Sequence, residues 1–242
     1  MKAFRLIYFI GISGSALVYY VFGVCHYFRS LRSSSPDYTT SSKYKRLVWK
    51  AHRVQTALNP YYVALSSVGK KEFISRLIHV LAHKKFVARQ GATITIEKKI
   101  VICGTLVQLT FGLNKYLLPK FKSIILYPRE FEVKMLQAKG MTWGMGTIMF
   151  SWIDTHKGYH DPHDNINLAL HEWAQAFRLD HRDDPAWLKY RDINKNNEEV
   201  NNLWITGIAK NDSKLLRPYG YTNQEEYFAV ATEHFFESPN EM

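Results

Sequence analysis

His171 and Glu172 are adjacent in a stretch, Asn165 to Asp180, whose apolar residues recur at helical spacing. In the H-E-x-x-H pattern, two histidines four residues apart bind Zn²⁺ from one helix face, and the glutamate beside the first activates the metal-bound water. Here Gln175 occupies the position of the second histidine. On a helix His171 and Gln175 lie one turn apart and about 40° around the axis, so both can address one ion. A bare His-Glu pair is common, and two polar residues on a half-buried helix are its simpler explanation.

A second candidate ligand lies near the C-terminal end of the chain. Glu226 falls in the first turn of a predicted closing helix, Asn223 to Glu237, and Tyr219 precedes it by seven residues. A carboxylate from a second helix can complete a zinc site while one position stays open for water. With Asn223 as N-cap, however, Glu226 is also the N3 acid of a capping-box-like arrangement that needs no metal. Tyr219 could likewise do no more than pack its ring.

Six dispersed segments between Leu65 and Pro239 carry more information than the short motif alone. They are Phe73-Ile-Ser-Arg-Leu, Lys85-Phe-Val, Gln108-Leu-Thr-Phe-Gly, Ile124-Ile-Leu-Tyr-Pro-Arg-Glu-Phe, Asn167-Leu-Ala-Leu-His-Glu and Thr222-Asn-Gln-Glu-Glu-Tyr-Phe-Ala-Val. In these segments, taken in order, the chain resembles the Mlc titration factor group of zinc-dependent peptidases, whose catalytic core is similar to that of anthrax lethal factor.

The resemblance implies roles for particular residues. In that family the two motif histidines and a glutamate on the later helix bind zinc, the motif glutamate is the general base, and a tyrosine seven residues before the ligand glutamate stabilises the oxyanion. The metal ligands expected here are His171, Gln175 in place of the second histidine, and Glu226; the catalytic residues are Glu172 and Tyr219. Because an amide oxygen is a neutral and poor zinc donor, we expect weakened zinc binding or a harder ion with more waters.

Other histidines are candidates for the missing ligand. On a continuous helix His181 would lie ~15 Å along the axis from the motif histidine, so it cannot share the ion. His234 is excluded for a similar reason, being about two turns beyond the ligand glutamate. His160 and His163, in a predicted polar loop before the motif helix, stay open as replacements.

The N-terminal residues 1–28 predict a transmembrane anchor. Between Leu6 and Phe28 the chain has no acidic or basic residue except His26, and ~23 helical residues are long enough to cross a ~30 Å hydrocarbon core. A cleaved signal peptide is the alternative, although no A-x-A-like cleavage site follows the apolar run. Residues 29–43, rich in Ser and Thr, predict a flexible tether. The cations that follow the span predict a single-pass membrane protein with its large domain in the cytoplasm.

The length and composition are sufficient for one folded domain. A chain of 242 residues with 46% hydrophobic and 14% aromatic residues can bury a sizeable core, which argues against disorder. We predict an α+β, zincin-like metallopeptidase domain over residues 44–242, with an active-site helix and a small, mainly antiparallel sheet. Helices are predicted at 44–58, 70–86 and 100–113, and strands at 93–96, 123–127, 131–135 and 147–152. Cys103 is predicted to be a small core residue of the third helix. For the motif helix, Asp164 or Asn165 is available as N-cap, and the core-facing residues are predicted to be Leu170, Trp173, Ala174 and Phe177.

Two functions of different classes remain open. The first is a membrane-anchored zinc-dependent peptidase that hydrolyses peptide bonds with metal-activated water. The second is a catalytically impaired pseudopeptidase that binds a protein partner such as a transcription regulator, since members of the resembled family bind a transcriptional repressor. The formal net charge of +11 also raises nucleic-acid binding, but no nucleic-acid-binding motif accompanies it, and we do not expect nucleic acid as a partner. A basic domain held near anionic lipid explains this charge more simply.

Overall fold

The computed structural model describes residues 42–133, 135–185 and 216–241. The predicted anchor at 1–28 lies outside these ranges, and so does the predicted tether at 29–43 apart from its last two residues. Those two residues belong to the first helix of the domain rather than to a tether.

The predicted single-pass membrane location is wrong. Across the three described ranges, no helix is both long and apolar enough to cross a bilayer. A span needs about 20 consecutive apolar residues, whereas the long helices Ser42–Leu58 and Ser67–His83 have 17 residues each and carry several exposed charges.

The described helices surround one core. They are α1 (Ser42–Leu58), α2 (Pro60–Ala64), α3 (Ser67–His83), α4 (Ile96–Thr110), α5 (Trp152–Lys157), α6 (Leu168–Asp180) and α7 (Gln224–Glu237), with a 3₁₀ helix at Pro218–Tyr221. Helix α4 forms the centre, because every residue from Ile100 to Gln108 is buried. Cys103, predicted to be a small core residue, is fully buried there, and that prediction is confirmed.

The strands form a four-stranded sheet and a separate hairpin. They are β1 (Lys85–Ala88), β2 (Ser123–Tyr127), β3 (Phe131–Val133), β4 (Leu136–Ala138), β5 (Gly140–Trp143) and β6 (Thr147–Ser151). The sheet has the order β1-β2-β6-β5, and β3 pairs with β4. Strands β1, β2 and β6 are parallel, so that Ile124 lies beside Phe86 on one side and Ile148 on the other. Only the edge strand β5 runs antiparallel to its neighbour in this sheet.

The sheet is therefore mostly parallel, and the prediction of a mainly antiparallel sheet is wrong. Strands β2 and β6 are close in sequence, which favours a hairpin, but β3, β4 and β5 lie between them and return the chain for a parallel pairing. The continuous apolar run Ile148-Met-Phe150 is buried throughout. Such a run is typical of a parallel strand that is covered on both faces.

Several element boundaries also differ from the predictions by a few residues, and one predicted strand is absent. The helix predicted to reach Phe86 ends at His83, because Lys84 takes an extended backbone and the chain enters β1. The strand predicted at 93–96 is absent from that stretch. Thr95 instead caps α4, its hydroxyl accepting a hydrogen bond from the Lys98 N–H at 3.3 Å. Threonine is a good N-cap as well as a good strand former, so composition alone does not separate the two.

Helix α6 carries the His-Glu pair and is fixed by its apolar face. The predicted core residues Leu170, Trp173, Ala174 and Phe177 are all buried, which confirms that prediction. The Trp173 indole N–H donates to the Ile102 carbonyl of α4 at 2.9 Å. Helix α6 also packs against β5, β6 and α7, so the side chains on its remaining face are held against two other elements.

A buried lysine, Lys84, stabilises this packing. The Lys84 ammonium donates to the carbonyls of Leu117, Leu118 and Phe121 at 2.5–3.1 Å and lies 5.4 Å from the centre of the Trp173 ring. These contacts hold the turn before β2 against Trp173 of α6.

Replacing Lys84 with methionine is expected to lower the free energy of unfolding by about 2–4 kcal/mol, because three carbonyls lose their donor while the apolar stem is kept. Lys120→Met is the matched control, since its half-exposed side chain makes only a 3.4 Å ion pair with Asp183 and such pairs contribute about 0–1 kcal/mol. Chemical denaturation of both variants measures the difference. Equal midpoints would show that the buried bonds do not stabilise the fold.

Candidate metal centre

Three polar side chains from two helices meet at one point. His171 and Gln175 extend from α6, and Glu226 extends from the first turn of α7. His171 Nε2 lies 2.9 Å from Glu226 Oε2 and 3.1 Å from Gln175 Nε2. The Gln175 amide N–H donates to Glu226 Oε1 at 3.1 Å. The three predicted ligands are therefore brought together, each within about 3 Å of the others.

Glu172 lies beside this cluster, against the edge strand β5. Its carboxylate is buried, with the Thr142 hydroxyl 2.7 Å from Oε2 and 2.9 Å from the Glu172 backbone carbonyl. Glu172 Oε1 occupies the space in front of Gly140, where an added Cβ would come within 2.4 Å of that oxygen. Strand β5 thus orients the predicted general base, and a glycine gives it room.

A further carboxylate, that of Glu233, lies behind the histidine. It is fully buried, and its Oε1 accepts a hydrogen bond from His171 Nδ1 at 2.7 Å and one from Arg217 Nη2 at 2.6 Å. Glu233 Oε2 accepts from the Asn167 backbone N–H at 2.7 Å. A carboxylate on the far nitrogen of a histidine fixes the ring and leaves Nε2 as the nitrogen that can bind a metal.

Tyr219 reaches the cluster from the 3₁₀ helix that precedes α7. It lies close enough to the Glu226 carboxylate to lower the pKa of that group, and its ring centre lies 6.0 Å from that of His171. Half of its surface, 51%, remains exposed. The ring also contacts Arg217, so the alternative in which Tyr219 only packs its ring stays open.

The cluster borders one cleft of about 580 Å³. His171, Glu172, Tyr219, Arg217 and Glu233 all contribute to its lining. The rest comes from residues in and around the two strands β4 and β5, from α5 and from the segment before α6, including charged residues of both signs: Glu130, Lys139, Asp154, Lys157 and Asp164. A cleft of this volume is within the usual range of ligand sites.

Burial and close charges shift several pKa values in the cluster. Burial opposes protonation of His171, but its contacts with Glu226 and Glu233 outweigh that effect and raise its pKa to about 10. Burial raises the pKa of Glu172 to about 7, against the opposing influence of His171. For Tyr219, burial and the neighbouring Glu226 raise the pKa to about 12. In the metal-free protein the His171 imidazole is therefore protonated at the position where a cation could bind.

The donor set fits a divalent cation, with one weak member. Glu226 Oε2 is buried without an aligned hydrogen-bond donor in the described part of the chain, and it is directed at His171 Nε2. Atoms bound to one metal at ~2.1 Å are about 3 Å apart, similar to the spacing here. A half-turn of the Gln175 amide would present its oxygen in place of its nitrogen. Within the described ranges, however, no three His, Cys, Asp or Glu side chains cluster as a metal site, so the third donor is a neutral amide.

The other histidines do not supply that third donor. His163 Nδ1 contacts the Glu237 carbonyl at 3.2 Å, and the His160 ring packs against His156 with ring centres 4.5 Å apart. Neither lines the cleft. His181 packs on Phe177 and His234 faces Glu241. The open alternative of a histidine from the approach loop is thus not supported by the described geometry.

Of the capping arrangement predicted for Glu226, only the hydrogen bond of its backbone N–H is present. Asn223 is the N-cap of α7 as predicted, since its Oδ1 accepts from the Glu226 N–H at 2.9 Å, but the Glu226 carboxylate turns toward His171. The N-cap predicted for α6 was Asp164 or Asn165, and this prediction is wrong. Asn167 caps α6, because Asn165 adopts a positive φ of 58° and turns the chain before the helix begins.

Four residues of the site were not predicted from sequence: Gly140, Thr142, Arg217 and Glu233. Glu233 had a usable signal, because it is seven residues after Glu226 and two helical turns place both on the same face of α7. Arg217 lies two residues before Tyr219, a weaker signal. Gly140 and Thr142 had none, since only the pairing of β5 with β6 brings that strand beside α6.

A histidine and a glutamate side by side on one helix, facing a glutamate from a second helix and a tyrosine from the segment before it, are typical of a metallopeptidase centre. The sequence pattern of the glucose-regulated metallo-peptidase M90 family matches residues 35–242. The chain therefore belongs to this family, and the family implies a metal cofactor.

Several curated proteins are distant relatives over most of their length. A protein of Synechocystis with no described activity is 24% identical over 207 residues, which cover 76% of this chain and 74% of that protein. Mlc titration factor A of Yersinia enterocolitica is 23% identical over 229 residues, covering 79% and 82%. Mlc titration factor A of Salmonella typhi is 24% identical over 203 residues, covering 74% and 75%. The resemblance drawn from the sequence segments is thus confirmed.

Metal binding is expected to release a proton. Since the pKa of His171 is raised to about 10 in the metal-free protein, the imidazole is charged below that pH, and an ion can bind Nε2 only after displacing the proton. Affinity for Zn²⁺ should therefore rise about tenfold per pH unit between about pH 7 and 9, with about one proton released per ion. Calorimetry in two buffers of different ionisation heat measures this. A binding heat independent of the buffer would contradict the prediction.

Proposed function

We propose that this chain is a metal-dependent peptidase whose cation is held by His171 Nε2, the Gln175 amide oxygen and Glu226. The contacts that bring these three side chains together, beside the cleft that Glu172 and Tyr219 line, carry the proposal. A bound divalent cation supplies Lewis acidity, which polarises the scissile carbonyl and lowers the pKa of the attacking water. The metal is proposed to be zinc, bound less tightly than by two histidines because the amide carries no charge.

Glu172 acts as general base and then as general acid. Its pKa of about 7 lets the carboxylate take a proton from water near neutral pH and pass it to the leaving amine. The Thr142 hydroxyl and the wall at Gly140 hold the carboxylate toward the cleft during both transfers. Without these contacts the carboxylate could rotate away from the substrate.

Tyr219 donates a hydrogen bond to the oxyanion that forms when water adds to the carbonyl. Its raised pKa of about 12 keeps the phenol protonated and therefore a donor throughout the neutral range. The phenol lies near Glu226 in the absence of substrate, and its half-exposed side chain lines the cleft.

A second candidate function is a pseudopeptidase that binds a protein partner. One observation favours it: the Gln175 amide donates to Glu226, and His171 contacts both Glu226 and Glu233, so the cluster is stabilised without a cation. In this alternative we take the partner to be a regulator, because the relatives are named Mlc titration factor A. It predicts that loss of Glu172 changes no property of the protein beyond stability.

Three matched proteins separate the two functions: wild type, Glu172→Gln and Gln175→His. If the protein is a peptidase, Glu172→Gln should lower kcat about 10²–10⁴-fold at unchanged metal content, because only the proton transfer is lost. Gln175→His should raise the affinity for Zn²⁺ at least about tenfold, because imidazole replaces an amide. The measurements are peptide hydrolysis and metal content after dialysis.

The outcomes discriminate as follows. Wild-type hydrolysis that disappears in Glu172→Gln excludes the pseudopeptidase. Hydrolysis seen only in Gln175→His shows instead that the native chain has lost catalysis and retains the fold for binding.

The room that Gly140 leaves for Glu172 gives a further prediction. Gly140→Ala places a Cβ 2.4 Å from Glu172 Oε1, so the carboxylate must move, and a displacement of about 1 Å can cost about 10²-fold in kcat. Gly144→Ala, four residues on in the same hairpin, meets no atom within 4 Å and is the control. Hydrolysis rates and melting temperatures of both variants should be compared. Equal kcat in the two would show that the position of Glu172 is not critical.

A further inference from the structure

Arg217 contacts the cluster without belonging to the predicted ligands or catalytic residues. Its Nη2 donates to Glu233 Oε1 at 2.6 Å, and that same oxygen accepts from His171 Nδ1 at 2.7 Å. The Glu233 carboxylate is fully buried, whereas the Arg217 side chain is 28% exposed toward the cleft. Arg217 is therefore the link between the cleft wall and the carboxylate that orients the metal-binding histidine.

The same guanidinium contacts the catalytic tyrosine. The Arg217 guanidinium carbon lies 5.6 Å from the centre of the Tyr219 ring, within the range of cation–π attraction. Only Pro218 separates the two residues in sequence, and Arg217 is the N-cap of the 3₁₀ helix but makes no capping hydrogen bond with its side chain. The side chain is thus engaged with Glu233 and Tyr219 instead of with its own helix.

The two residues that precede the 3₁₀ helix both contact α7. Leu216 packs with Val230 and Ala231, an apolar contact that does not involve the cluster. Arg217 binds Glu233. The apolar contact holds the segment on α7, and the arginine connects it to the carboxylate that accepts from His171.

We propose that Arg217 is a positioning residue, which holds Glu233 toward His171 Nδ1 and Tyr219 toward Glu226 through one guanidinium group. The role in hydrolysis rests on the proposed peptidase function, whereas the effect on His171 does not. A lysine could supply the charge but not the planar group that bonds a carboxylate at its edge while its face covers a ring. Loss of an outer partner of this kind typically costs about 10–100-fold in metal affinity or activity.

The matched control is Arg178 of α6, which forms another arginine–glutamate pair with α7 in the described structure. Its Nη2 donates to Glu225 at 2.7 Å, a similar distance, but the Glu225 side chain is exposed and does not contact His171. If any arginine–glutamate pair on α7 were sufficient, Arg178→Ala and Arg217→Ala would have similar effects. Arg217→Lys serves as the conservative variant, and Arg217→Gln replaces Arg217→Ala if the alanine variant does not fold.

Two measurements, of metal affinity and of peptide hydrolysis, use the metal-loaded protein. Arg217→Ala should bind Zn²⁺ about 10–100-fold more weakly in chelator competition, and should lose kcat by a similar factor with KM changed less than about threefold. Arg217→Lys should recover only part of either loss, and Arg178→Ala should match wild type. The proposal would be overturned if Arg217→Ala had the same metal affinity and kcat as Arg178→Ala. It would also be overturned if Arg217→Lys recovered both values fully.

A third measurement needs neither metal nor substrate. In ¹H–¹⁵N spectra of the metal-free protein, the His171 Nδ1–H signal, assigned by its absence in His171→Asn, should be observed in wild type and Arg178→Ala. In Arg217→Ala it should be lost to exchange with water, because Oε1 of Glu233 loses its other donor and the Asn167 N–H holds only Oε2. A signal that persists in Arg217→Ala would overturn the positioning of His171. If no protein, wild type included, hydrolyses peptide but the signal is lost only in Arg217→Ala, the peptidase function fails and the positioning role stands.

Discussion

The structure depends on the burial of three carboxylates around a single imidazole. Glu172 and Glu233 are almost wholly removed from water, and Glu226 is largely so. Arg217 offsets one of the three negative charges, which leaves two when His171 is neutral. Isolated buried charges are costly unless they are paired. The fold can meet this cost with a divalent cation, or in part with a proton on His171, whose pKa is raised accordingly.

The choice between a cation and a proton explains how Gln175, in place of a second histidine, can change metal binding while the arrangement of the other side chains is kept. A second histidine would add a strong neutral ligand to the ion, whereas Gln175 adds a weak ligand that can also donate to Glu226 when no ion is bound. The amide therefore stabilises the metal-free arrangement relative to the loaded one. The proposed general base Glu172, the proposed oxyanion donor Tyr219 and the Glu233 carboxylate do not depend on that choice, since β5, the 3₁₀ helix and α7 position them.

Sequence reasoning recovered the parts of the fold that depend on local patterns. The strand at Ser123–Tyr127, the N-cap at Asn223 and the buried face of α6 follow from periodicity and capping chemistry. The parallel pairing of β2 with β6 did not, because strand order is a property of distant pairing that short segments do not encode. For the site, the resemblance brought forward His171, Glu172, Gln175, Tyr219 and Glu226, whose roles stay proposals. Thr142 and Gly140 reach the site only through the position of β5 beside α6, and Arg217 only through its contacts with Glu233 and Tyr219.

The central claim is that one histidine, one glutamate and one glutamine amide hold the cation. X-ray absorption at the zinc edge, on protein loaded with one equivalent of Zn²⁺, counts imidazole ligands directly. We predict one imidazole, with the remaining donors oxygen. Two imidazoles in the wild-type protein would show that another histidine completes the site, and failure to retain any zinc would show that the cluster is stabilised by protonation alone; either result would contradict the account.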